Sequence, residues 1–257
     1  MTLALPQYYS GQGRVLTAKR SALGRALQFA LFADCSAVKM PLSADTTDIY
    51  EDMTGNKVLA AQIPGQKKSS LTITCKQFTK TSAALGFYSD PISLTTGTVT
   101  GEQLPADLQP GDEIGLEHGN VSELVITDST GTPKTLTKDT QYKENSLVFG
   151  NVGMLQDKTA GTYQEPLFAA YSYGAADSFP MFTKTPEERY IRIEGLNAAE
   201  NNAPVLIEVY RGKVQPFASI DWIGQSAANQ DLTVGCLFDS LNAADANYGG
   251  FARVTFL

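Results

Sequence analysis

His118, in "GLEHGN", is the single histidine of the chain, so any Ser-His-Asp or Cys-His arrangement would have to use it. It lies between glycines in an acidic stretch with no nucleophile signature beside it, and a loop-surface position is expected. A metal site built from histidines is excluded by count. Cys35, Cys75 and Cys236 are far apart, odd in number and lack a CxxC spacing, so neither a metal site nor a disulfide framework is expected. Cys75 and Cys236 fall in strand-like runs and read as small buried residues. "GQGR" at Gly11–Arg14 resembles a piece of a phosphate loop but lacks the following GK[ST], and reads as a turn before a strand. Asp112-Glu113 and Glu187-Glu188 are adjacent pairs; on a strand such neighbours face opposite ways and cannot work as a glycosidase pair. "PGDEIGLEHGNVSE" is acidic without the D-x-D-x-D-G spacing of a calcium loop. Trp222 in "SIDWIG" reads as core or interface. No catalytic residue, cofactor or metal is therefore expected, and the chain reads as something other than an enzyme.

The elements around these residues are mostly strands. "SSLTITCKQF" alternates Leu71, Ile73 and Cys75 with Thr72, Thr74 and Lys76. "RYIRIEG" sets Ile191 and Ile193 against Tyr190 and Arg192; "PVLIEVYRGKV" sets Val205, Ile207 and Val209 against Leu206, Glu208 and Tyr210. "ELVITDSTGTPKTLT" predicts a hairpin turning at Ser129–Pro133, and further strands are expected at Asp231–Phe238 and Phe251–Leu257. Many short strands with polar turns predict a mainly β chain, an antiparallel sandwich or barrel. One short helix is expected, begun near Thr79 and stopped by Gly86, where Ala83, Ala84 and Leu85 favour it.

Two segments are less simple. Between Gly11 and Leu31, the pairs Ala22-Leu23, Ala26-Leu27 and Ala30-Leu31 have helical spacing, but Gly24 opposes a helix. The alternatives are a basic amphipathic helix or two strands joined by a basic turn. The other is Ser43–Ser70, long, charged and weakly periodic, yet too apolar at Ile49, Tyr50, Met53, Val58, Leu59 and Ile63 for a free linker. It reads as an arm that orders against another subunit, an extended hairpin turning near Thr54-Gly55-Asn56, or else as a loop folded back on its own domain.

The chain has 257 residues, with 20 Lys and Arg against 27 Asp and Glu, a formal charge of -7. That balance makes it a poor general binder of phosphate backbones. The charge is uneven. Arg14, Lys19, Arg20, Arg25 and Lys39 stand against Asp34 alone in residues 1–40, whereas Asp90–Asp128 holds eight acids and no Lys or Arg. These are either two solvated faces or complementary surfaces for head-to-tail association into rings or filaments. No charge-free stretch of about 18 residues predicts a membrane span. "MTLALPQYYSG" lacks the pattern of a signal peptide, so a protein made in a reducing cytosol is expected.

Taken in order, these segments resemble the tail tube (major tail) proteins of long-tailed bacteriophages. "GQGRVLTAKRSALGRALQFALFADCSAVKMPLS" is similar to the family's opening, a strand, a basic turn and two further strands, followed by a long loop with a "TG" turn, here Thr54-Gly55. "SSLTITCKQFTKTSAALGFY" resembles its strand and short helix. "LVITDSTGTPKTLTKDTQYKENSLVFGNV" resembles the segment ending in "dY", although Gln141 replaces the acid before Tyr142. "YIRIEGLNAAENNAPVLIEVYRGKVQPFASIDWIG" is the closest match.

The resemblance implies strands, not a helix, between Gly11 and Leu31, with the basic residues on a turn at a subunit contact. It implies one domain over residues 1–257, an antiparallel β-sandwich flanked by a short α-helix, with an N-terminal arm at 1–9 and an inter-subunit loop at 43–70. The last residues, "FARVTFL", would form a further arm. Six copies would close into a ring, and rings would stack into a tube in the virion tail, assembled in the host bacterial cytoplasm. The implied partners are further copies of the chain, the tape-measure protein in the lumen, the tail terminator and distal tail proteins at the ends, and viral DNA in non-specific passage during ejection. No membrane partner is implied. The alternative is a β-sandwich binding module of a tail tip or decoration protein that does not polymerise.

Overall fold

A computed structural model describes residues 8–223 and 229–257. Most of the expected arm at 1–9 therefore lies outside the described residues; Tyr8 and Tyr9 are exposed. The chain is mainly β, with every named strand pairing antiparallel. Where the sequence suggests one domain, the structure forms two compact units, residues 92–178 making one and the flanking segments the other.

The flanking unit opens with a hairpin of β1 (Gly11–Arg20) and β2 (Ala26–Leu31). Ser21 N donates to Arg25 O at 2.8 Å, and Gly24 stands at φ +75°, a region that side chains with a Cβ rarely enter. That glycine turns the chain where Ala22–Leu31 has helical spacing, and the two-strand alternative holds. "GQGR" is not a turn: it begins β1, and Gly13 is required because a Cβ there would meet Glu194 O at 2.3 Å. Nor do the basic residues all sit on the turn. Only Arg25 does; Arg20 Nη2 reaches Asp239 Oδ1 at 2.7 Å and Arg14 Nε reaches Glu194 Oε2 at 2.7 Å.

Then follow β3 (Cys35–Lys39), β4 (Leu42–Tyr50) and β5 (Leu59–Cys75). β4 and the first part of β5 pair from Leu42 opposite Ser69 to Tyr50 opposite Leu59. Their turn places Gly55 at φ +78° and is closed by Thr54 Oγ1 donating to Glu51 Oε2 at 2.7 Å. The segment expected at 43–70 is thus an extended hairpin, and it does not fold back: all of β4 and residues 59–68 of β5 are exposed. The rest of β5 alternates as its sequence does, with Leu71, Ile73 and Cys75 fully buried.

Helix α1 (Lys80–Phe87) starts where expected. Thr79 Oγ1 accepts from Ser82 N, and Ser82 Oγ accepts from Thr79 N, both at 3.0 Å, a reciprocal cap. Gly86 does not stop it; the chain leaves the helix at Tyr88, φ +53°. Gly86 instead makes room, since a Cβ there would lie 2.0 Å from the ring of Phe217.

The inserted unit holds β6 (Ile92–Leu94), β7 (Gly97–Gln103), β8 (Glu113–Gly115), β9 (Val121–Thr127), β10 (Tyr142–Ser146), β11 (Asn151–Met154), β12 (Phe168–Tyr173) and β13 (Ala176–Ser178). They form sheets in the orders β7-β12-β9 and β10-β11-β8, which supply a core that includes Ile126, Val152, Met154 and Ala169 with Leu167, and an exposed pair β13-β6. The expected turn at Ser129–Pro133 is present, but its returning arm is only a bridge, Thr135 to Thr127. Asp128 explains the turn. Burial opposes its charge, yet Lys134 N, Thr130 Oγ1 and N, and Gln164 N all donate to the carboxylate and hold it down at about 2.

The flanking unit resumes with β14 (Glu188–Asn197), β15 (Ala203–Val214), β16 (Gln230–Cys236), a one-turn helix α2 (Ser240–Ala243) capped by Asp239, and β17 (Ala252–Phe256). α2 is a second helix where one was expected. Nine strands form one sheet, β2-β1-β14-β15-β16-β5-β3, with β17 also on β15 and β4 also on β5. Val15, Ile191, Ile193 and Val209 from one part of it share a core with Leu71, Ile73, Leu232 and Val234 from the other. Each such side chain contributes roughly 1.5–3 kcal/mol on full burial. The expected polar face of β14 and β15 is partly covered as well. Tyr190 and Tyr210 are buried with Ala18, and buried Glu208 accepts from Tyr190 Oη at 2.9 Å and pairs with Arg253 Nη2 at 2.6 Å. No helix among the described residues is long and apolar enough to cross a membrane.

Two outcomes follow from this packing. Alanine ordinarily stabilises a helix over glycine by about 1 kcal/mol. Gly86→Ala is nevertheless expected to lower stability by about 1–3 kcal/mol in denaturant unfolding, because the Phe217 ring must move. The Gly86→Ala/Phe217→Ala pair should show strong positive coupling, and simple additivity would refute the clash. Asp128 has a folded-state pKa below its unfolded one, so its contribution is complete above pH ~4 and is lost as pH falls towards about 2. Asp128→Asn should flatten the pH dependence of unfolding in that window.

Candidate functional site

The residues with chemical potential do not converge. His118 lies half-buried with its ring stacked on Tyr173, centroids 3.9 Å apart. Nearby, Tyr171 Oη donates to Glu102, which also accepts Glu117 N; burial and that carboxylate raise the Tyr171 hydroxyl above its ordinary pKa. Glu187 and Glu188 are committed separately, the first to Arg189 Nη2 at 2.6 Å, the second to Arg211 through two bonds of 2.7 Å. Among the described residues no three His, Cys, Asp or Glu side chains are grouped as a metal site. Cys75 and Cys236 are buried as expected; Cys35 is half-buried and faces Cys75. Trp222 is not core: it is 68% exposed and stacks on Phe78 at 5.6 Å.

What the sequence does build is surface. On the β4–β5 hairpin, Thr47 stands opposite Ile63 and Ile49 opposite Ala61, and cross-strand partners share a face. The next pair, Asp48 and Gln62, points the other way, bonded at 2.9 Å. In the middle of the arm one side is therefore mainly apolar and the other carries the Asp48–Gln62 pair, and Met53 at its turn is 95% exposed. β5 runs as one strand from this exposed hairpin into buried Leu71 and Ile73 and so joins the arm to the core, although its pairing with β4 shifts register between Ala44 and Thr46 and again between Ile49 and Tyr50.

Further apolar surface lies on β2, where Leu27, Phe29 and Leu31 are exposed, and at the chain end, where Val254, Phe256 and Leu257 are exposed. Beside that end, a concavity of about 460 Å³ opens on the sheet, lined by Gly13, Gly195, Leu196, Pro204 and Leu257 among others. Phe78, Phe87, Phe217 and Trp222 form an aromatic wall with centroids 5.3–6.4 Å apart. No local pattern announces this wall, because Phe78 and Phe87 meet Phe217 and Trp222 from a segment far along the chain.

The charge asymmetry sharpens with the structure. The inserted unit carries twelve Asp and Glu against four Lys and no Arg, whereas the rest carries fifteen acids against sixteen Lys and Arg. The surplus of negative charge lies wholly in the insertion.

No curated protein matches the chain. A family model matches residues 8–255, and the chain belongs to the family that this model describes, Protein of unknown function UCP028589.

Proposed function

We propose that the chain is a structural subunit of a bacteriophage tail tube, which self-assembles into hexameric rings that stack around a lumen. The observation that carries this is the β4–β5 arm: a long, strand-paired hairpin whose apolar residues stay exposed on their own chain. A hairpin of this kind is marginal alone, and burial against a neighbour supplies what it lacks. Open strands support the same conclusion. Among the described residues β2 pairs only with β1, and β17 only with β15, so each has an edge on which another copy can add a strand. The acidic insertion and the arginine-bearing remainder suit contacts between unlike surfaces, which generate rings and filaments.

In the proposed assembly the lumen holds the tape-measure protein during construction and conducts DNA during ejection. The terminator and distal tail proteins occupy the ends. An excess of carboxylates repels phosphate, so DNA can slide without sticking. The virion tail is the proposed location.

Purified protein is expected to form rings or tubes in negative-stain micrographs. A chain that stays strictly monomeric at every concentration and salt would overturn the proposal. Ile49→Ser/Leu59→Ser/Ile63→Ser changes only exposed positions. It should leave the thermal midpoint within a few degrees while sedimentation velocity shifts from assemblies to monomer. Unchanged assembly of this variant would show that the arm is not the contact.

A further inference from the structure

We propose that Cys35 and Cys75 form an oxidisable pair that closes to an intramolecular disulfide across β3 and β5, at the core end of β5. The two cysteines stand directly opposite each other on antiparallel strands, with Sγ atoms 3.3 Å apart. Lys76 N donates to Asp34 O at 2.9 Å, which makes residues 34 and 76 a hydrogen-bonded pair. Cys35 and Cys75 are then the adjoining non-hydrogen-bonded pair, the position where Cα atoms of antiparallel strands come closest and a disulfide's Cα separation is met. Closing the remaining gap between the sulfurs needs small side-chain rotations and no change of register.

The pair is also chemically unequal. Cys75 is fully buried, whereas Cys35 is half-buried and reachable by a small molecule. Either sulfur can donate the hydrogen bond that joins them; a Cys75 S–H turned towards a Cys35 thiolate pulls the Cys35 pKa down, against the opposing effects of burial and of Asp34. Cys75 itself is pushed up, first by that hydrogen bond and then by burial. Cys35 is therefore the attacking thiolate and Cys75 the resolving group.

With a low-molecular-weight disulfide such as oxidised glutathione the step balances. Cys35 Sγ⁻ attacks one sulfur of the oxidant, forming a mixed disulfide and expelling one thiolate. Cys75 gives up its proton and attacks Cys35 Sγ, breaking the mixed bond and expelling the second thiolate. Two protein thiols are oxidised, one external disulfide is reduced to two thiols, and the cysteine protons pass to the released thiolates.

The closed loop runs from Cys35 to Cys75 and contains the whole β4–β5 arm. The bond ties β3 to β5 at the end of β5 away from the arm, so oxidation locks the β3–β5 pairing in the core and leaves the arm's own surface untouched. Cys236 lies opposite Gly212 and Ser69, and its sulfur has no part in the pair.

The test uses the full chain, reduced and then equilibrated with oxidised glutathione. Thiol counting after denaturation should fall from the three cysteines of the sequence to one. Intact mass should drop by two hydrogen atoms, and non-reducing peptide mapping should join the Cys35 and Cys75 peptides. The thermal midpoint should rise by about 5 °C or more, given the long loop closed. Cys236→Ser should behave likewise, counting two thiols before oxidation and none after. Cys35→Ser and Cys75→Ser should each lose the internal bond. If either variant fails to fold, the wild-type peptide map still decides. Three thiols remaining, a lasting glutathione adduct on Cys35, or a bond involving Cys236 would each overturn the proposal. None of these readouts depends on whether the chain assembles.

Discussion

Everything that projects from this molecule depends on the continuity of one strand. β5 runs through seventeen residues. Its C-terminal residues lie within the large sheet, one strand in from its β3 end, paired with β16 on one edge and β3 on the other. Its N-terminal residues pair only with β4, away from any core. Backbone hydrogen bonds cannot be shared loosely between these two roles, because a slip of one residue would swap the faces of the whole strand. Fixing Leu71, Ile73 and Cys75 in the core, together with the register shift opposite Ala44 and Thr46, therefore sets which face Ala61 and Ile63 present. The arm inherits its orientation from the core without any packing of its own.

That arrangement carries a risk. A long exposed strand with apolar side chains is a template for unwanted pairing. The arm answers it with charge: Asp45 and Asp48 on β4, Lys67 and Lys68 near the base of β5, and a Lys68–Asp45 ion pair at 3.4 Å. Such exposed pairs stabilise little, on the order of 1 kcal/mol or less. They raise the cost of burying the wrong partner far more, since an unmatched charge would be stripped of water. The apolar side is thus available to a partner that also satisfies the charges, and less so to a random strand.

Much of this was legible in the residues. The alternating runs located the buried end of β5, and β14, β15, β16 and β17 to within about two residues, because strands half-buried in an antiparallel sheet must alternate; the exposed first half of β5 carries no such signal. Thr79 marked its helix because a hydroxyl there meets orphan amides. The glycines misled for a shared reason. Gly13 and Gly86 looked like punctuation, yet each serves close approach of a distant segment, Glu194 in one case and Phe217 in the other. Sequence spacing holds no record of such neighbours. The same holds for Cys35 with Cys75, forty residues apart in sequence, and for the aromatic wall. Glu208 was expected on a polar face, and its burial depends on Tyr190 and Arg253 arriving from two other strands. The site of interest was legible in outline because its signal, apolar residues in a stretch without a core pattern, is local.

The two features that bear on association act over different ranges. Twelve acids against four lysines give the insertion a net charge of -8, concealed in the whole-chain figure of -7 by the near balance elsewhere. At physiological salt the screening length is about 8 Å, so this charge steers and orients an approaching surface but adds little affinity once contact is made. Lasting affinity must come from apolar area removed from water, at roughly 25 cal/mol per Å² before the costs of ordering. In the proposed assembly the arm supplies that area and the insertion supplies direction. The division has a physical consequence: salt should alter how fast copies find one another more than how firmly they hold, whereas trimming the arm's apolar side should do the reverse.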